Sequence, residues 1–109
     1  MHLKLYIGNS MFLRAEGVKF ENEETFLNDG LVEATVKNLN GTDVSGQTWP
    51  LTLDYITDSD GNYQGVLSNQ LELTERKDYH VFLTVTKDAN VGHWKETVTA
   101  QYRGFDEEC

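Results

Sequence analysis

The chain has 109 residues, with 9 Lys and Arg against 18 Asp and Glu, a formal charge of −9, one Pro and one Cys. That length suits a single domain, and one thiol excludes both an internal disulfide and a four-ligand zinc site built on cysteines. The acidic balance argues against nucleic acid, whose affinity rests on Lys and Arg at phosphates, and against anionic membrane surfaces.

In chain order, the dominant signal is period two. Leu3, Leu5 and Ile7 alternate with His2, Lys4 and Tyr6, which predicts a strand over 2–7 in place of a signal-peptide core. Short strands are expected at 11–15, 18–20 and 24–27. Asn28-Asp29-Gly30 supplies a turn, and Val32, Ala34 and Val36 then mark a strand over 31–38 that Asn40-Gly41 closes. Trp49, Leu51, Leu53 and Tyr55 predict a strand over 48–56. Asp60-Gly61-Asn62 turns the chain into another over 63–69. A helical turn fits at Thr74–Lys77. Tyr79, Val81, Leu83 and Val85 predict a strand over 79–87, with Trp49, Leu51 and Leu53 as their core companions. Asp88–Gly92 reads as a hairpin loop, and Trp94, Val98, Ala100 and Tyr102 mark a last strand over 93–102. No stretch approaches the roughly 20 apolar residues of a membrane helix.

Many short strands at this spacing predict an all-β fold, specifically an immunoglobulin-like antiparallel β-sandwich over residues 1–104, with residues 105–109 as an acidic tail. The passage from Leu71 through Tyr79 to Val85 resembles the loop-to-strand corner of immunoglobulin-like and fibronectin type III sandwiches. There a tyrosine opening the penultimate strand bonds back to upstream backbone. Tyr79 is expected in that role, and Trp49 is a second structural residue.

Chemistry is sparse. Asp58, Asp60 and Asn62 place oxygen ligands at alternate positions, like the front of an EF-hand calcium loop. The match then fails, because the twelfth position is Asn69 and no Gly stands at the sixth, so a polar loop is the simpler account. His2, His80 and His93 have no shared ligand spacing. Ser10, Ser45, Ser59 and Ser68 lie in polar turns, none in a strand–helix elbow. Cys109 sits beside Glu107 and Glu108, whose charge raises a thiol pKa. No phosphate loop is present. These absences predict a protein that is not an enzyme and takes no cofactor. Phe82 shares a strand with Val81 and Leu83 yet falls on the opposite face, so it is expected to anchor an interface.

The ordered motifs Leu5-Tyr6-Ile7-Gly8-Asn9, Leu31–Lys37, Trp49-Pro50-Leu51-Thr52-Leu53 and Gly61–Leu67 resemble short proteins encoded among the virion genes of tailed bacteriophages and prophages. The resemblance covers about residues 3–85 and departs at Gly30, at Asn38-Leu39-Asn40 and in the acidic end. It implies a structural virion protein, made in the host bacterial cytoplasm and bound to capsid, neck or tail subunits, with capsid decoration as the leading role. Leu3, Leu5 and Ile7 would offer an edge strand to a partner, and Phe82 an outer face. Two alternatives stand beside it. One is a self-associating neck or tail ring; the other is a carbohydrate- or receptor-binding module using Tyr63, Trp94 or Phe82 against sugar rings.

Overall fold

The computed structural model describes residues 4–20 and 25–103. Among them every regular element is a strand: β1 (Leu5–Tyr6), β2 (Met11–Ala15), β3 (Leu31–Asn38), β4 (Leu51–Tyr55), β5 (Tyr63–Leu67), β6 (Asp78–Lys87) and β7 (Asn90–Gln101). They form one seven-stranded mixed sheet in the order β1-β7-β6-β3-β4-β5-β2, curled until it is nearly a barrel.

Alternation decides which face turns inward. In β3 Val32, Ala34 and Val36 are buried, and in β6 Tyr79, Val81, Leu83 and Val85 are buried, each next to a half-exposed neighbour. The two strands pair antiparallel from Leu31↔Thr86 to Asn38↔Tyr79, so the two apolar sets share one face. Leu13, Ala15, Leu53, Tyr63 and Leu67 supply the facing wall. β4 joins the walls. Its Leu51–Leu53 half pairs with β3, and its Asp54–Tyr55 half pairs with β5.

Several boundaries differ from the sequence expectation. The sheet is mixed, not wholly antiparallel, because β1 runs parallel to β7, with Leu5 opposite Ala100. Only Leu5 and Tyr6 of the expected 2–7 strand pair, and residues 2 and 3 lie outside the described residues. Residues 18–20 and 25–27 form no strand. Their apolar side chains, Val18, Phe20 and Leu27, are buried nonetheless. They plug one end of the curled sheet and pair locally, Leu27 N–H to Val18 O at 2.8 Å and Val18 N–H to Gly61 O at 2.8 Å. The last hairpin is tighter than expected. Asn90, Val91 and Gly92 pair with Lys87, Thr86 and Val85, leaving Asp88 and Ala89 as a two-residue connection with Asp88 at φ 52°. Thr74–Lys77 is a hydrogen-bonded turn, Lys77 N–H to Thr74 O at 3.2 Å. Residues 104–109, including the acidic tail and Cys109, lie outside the described residues.

Tyr79 is 1% exposed, and its hydroxyl oxygen accepts the Thr74 N–H at 2.8 Å. This is the upstream backbone bond expected of it. Trp49 packs against the core and donates its indole N–H to Val44 O at 2.7 Å. Removing the Tyr79 hydroxyl leaves a backbone donor without its partner, which costs about 1–3 kcal/mol. Tyr79→Phe is therefore expected to lower the free energy of unfolding by that amount, read as a lower urea midpoint with an unchanged denaturant slope. A midpoint equal to wild type would show that Thr74 N–H needs no hydroxyl.

Candidate interaction surfaces

Several polar side chains hold loops in place. Tyr63, 1% exposed, donates its hydroxyl to Leu27 O at 2.8 Å and accepts Gly30 N–H at 3.1 Å, tying the 27–30 turn to β5. Burial raises its pKa above the ordinary 10.0, and the Gly30 bond opposes that rise. Tyr63 cannot stack on a sugar, which corrects that expectation. Asn62 Oδ1 accepts Gly17 N–H at 2.8 Å, and Asn28 Oδ1 accepts Gly61 N–H at 2.9 Å. Gly61 has φ 71°, and a Cβ there would stand 2.6 Å from Val18 O, so the loop needs a glycine at that point. The Asp58–Asn62 stretch thus serves as a corner piece. Among the described residues no three His, Cys, Asp or Glu side chains gather as a metal site. No buried side-chain nitrogen or oxygen lacks a partner among them.

The outer face of β3, β6 and β7 is built in rungs by the strand register. Phe82 is half-exposed at its centre, between Thr35 on β3 and Lys95 on β7. The Lys95 ammonium lies 5.9 Å from the Phe82 ring centroid, and the His80 ring meets that ring edge-on at 6.1 Å. One rung carries Lys37, His80 and Thr97, with His80 Nδ1 and Thr97 Oγ1 2.9 Å apart. On the other side stands the rung of Glu33, Thr84 and His93, with Thr84 Oγ1 and His93 Nδ1 3.3 Å apart. The histidines share a face but flank Phe82 on separate rungs, each held by a threonine. Lys37 also pairs with Asp43 at 3.0 Å. In a chain of charge −9 this face carries two lysines and two histidines around a phenylalanine, with Glu33 among them.

The opposite side of the molecule holds a surface that the sequence reading missed. Phe12 on β2 lies opposite Val66 on β5, and they are 66% and 53% exposed. Next to them Leu51, Thr52, Asp54, Tyr55 and Gln64 line a shallow depression. The signal was available. Leu13 and Ala15 set the inward phase of β2, so Phe12 had to point out.

The expected edge strand stands at one end of the strand order, as β1. The Leu5 side chain is fully buried and Ile7 is half-buried against the core, so β1 can offer backbone but not Leu5 to a partner. Leu3 lies outside the described residues. Trp94, 38% exposed, lines a cleft between β7 and the 15–20 segment.

No family model, no curated protein and no solved structure matches the chain.

Two expected outcomes follow from this geometry. Tyr63 and Lys87 both have raised pKa values, Tyr63 through burial and Lys87 through its 2.7 Å hydrogen bond and charge attraction to Asp29. The folded chain holds both protons more tightly than the unfolded chain. Their contribution is complete below the ordinary values of 10.0 and 10.5 and is lost as pH rises through the folded values. The urea midpoint should fall above about pH 10, and Tyr63→Phe should flatten that fall while lowering the midpoint at neutral pH. An equal fall in the variant would remove Tyr63 as its source. Phe12→Ser should change stability by no more than about 0.5 kcal/mol. Leu13→Ala, one residue along on the buried phase, should cost about 2–5 kcal/mol in the same urea titration.

Proposed function

We propose that the chain is a non-enzymatic binding module with an immunoglobulin-like sandwich, and that it serves as a structural component of a tailed phage particle, bound to the capsid shell. The sandwich reading is supported by the strand order, by the β1–β7 parallel pair at one end, and by the Tyr79 hydroxyl bonded to Thr74 N–H at the start of the penultimate strand.

One observation carries the functional half. The polar groups inside the fold are committed to holding turns, while aromatic side chains stand on the outer faces of both sides, Phe82 on one and Phe12 on the other. The outward use of aromatics suits adhesion to other proteins. The motifs that resemble virion proteins fall on framework positions. Gly8 turns at φ 74° after β1, Asn9 Nδ2 donates to Ile7 O at 2.9 Å, Trp49 holds Val44 O, and Gly61-Asn62-Tyr63 ties three loops together. A module of this kind stabilises a shell by binding the assembled form better than free subunits, because selective binding shifts an equilibrium toward the bound state.

Mass spectrometry of gradient-purified particles, made from a genome that carries this gene, tests the assignment. The protein is expected in many copies per particle, and particles lacking it are expected to lose their contents at a lower temperature until purified protein is added back. Recovery only in the particle-free fraction would overturn the reading.

A further inference from the structure

We infer that the free edge of β7 is a docking site for an extended, acidic strand of a partner protein, whose apolar side chain enters the cleft beside Trp94. The inference concerns how a strand is held and does not depend on the particle proposed above.

β7 has twelve residues and pairs with β6 from Asn90 to Thr99, but on its other side, among the described residues, β1 meets only Ala100 and Gln101. The direction of the free groups follows from the bonds at that end. Ala100 N–H donates to Lys77 O at 2.9 Å, so Ala100 turns its polar groups toward the β6 side. Ile7 N–H donates to Gln101 O at 2.9 Å, so Gln101 turns toward β1. Alternation then points the N–H and C=O of Val91, His93 and Lys95 away from β6. No described backbone group pairs with them. A row of this kind is a template for one more strand.

Two features choose the strand. On the inner side, Ala15, Glu16, Val18, Lys19, Leu83 and Trp94 line an open cleft of about 190 Å³, room for one apolar side chain, and Glu96, opposite Val81, puts a second carboxylate on that side, where a partner's carboxylate would be repelled. Gly92 leaves room for the indole, since a Cβ there would stand 2.8 Å from the ring. On the outer side His93 and Lys95 project beside the vacant row, and Lys19 stands at the mouth of the cleft. A docked strand therefore alternates an apolar residue inward with a carboxylate outward. A second copy of this chain is a poor occupant. Two β7 edges would bring Lys95 and His93 together, and the free edge of β2 would bring Arg14, with like charges opposed in either case.

The test uses the whole chain and three short peptides. One alternates Glu with Leu. A second replaces each Glu by Lys. A third is the first peptide N-methylated at every residue, so that it cannot donate along either edge. Amide hydrogen exchange and the Trp94 indole N–H resonance are followed by NMR. In the free chain the amides of Val91, His93 and Lys95 should exchange quickly. The Glu-Leu peptide should slow them about tenfold or more and shift the Trp94 resonance. The Lys-Leu and N-methylated peptides should do neither. Lys95→Glu, an exposed change, should weaken the Glu-Leu peptide about tenfold. Protection of these amides in the free chain, no binding of the Glu-Leu peptide at millimolar concentration, or equal binding of all three peptides would overturn the inference. Presence or absence of the protein in virions bears on none of these outcomes.

Discussion

The architecture depends on the divided pairing of β4. Five residues hydrogen-bond to β3 through one half and to β5 through the other. Without that transfer, β2 and β5 would form a separate two-stranded ribbon, which is marginal in water. With it, Leu13, Tyr63 and Leu67 are carried over the apolar face of β3 and β6 and bury it. Gly65 lets the strands come this close. A Cβ there would stand 2.8 Å from Leu53 Cδ2, so the inward side of β5 leaves space for the β4 leucine. The apolar core is thus a product of strand connection as much as of composition.

The same curl explains which apolar side chains stay outside the core. A sheet with one face buried must present its other face to water along its whole length. Residues on the outward phase of β2 and β6 stay exposed even when they are aromatic, as Phe12 and Phe82 do. Among the described residues the curl stops short of closing, since β1 pairs with β7 only at Ala100 and Gln101 and a cleft remains beside Trp94. The apolar surface left outside the core therefore lies on two outer faces and one seam, away from the loops that the buried tyrosines and asparagines hold shut.

Much of the sheet was legible in the alternation of Val32, Ala34 and Val36 and of Tyr79, Val81, Leu83 and Val85, because a strand with one buried face writes its register into every second residue. Other features were not local. Val18 and Phe20 alternate as a strand would, yet with Leu27 they bury as a plug, and Val18 N–H bonds to Gly61 O, not to a neighbouring strand. Tyr63 reads as a surface aromatic until Leu27 and Gly30, more than thirty positions earlier, close over its hydroxyl. Asn90 and Gly92 have the composition of a loop, but β6 is long enough to pair with them. The exposed Phe12 was readable from the phase of its neighbours, while the open seam beside Trp94 depends on how far β1 extends, which residue pattern does not encode.

The parallel pairing of β1 with β7 also sets an order of events during synthesis. Leu5 is sealed beneath a strand whose matching residue, Ala100, leaves the ribosome long after it. Until then the first strand has no neighbour of its own in the sheet. Closure of so distant a pair makes folding slow relative to a chain of local hairpins. A chain being made in that order thus passes through a stage in which Leu5 waits unburied for the strand that will cover it.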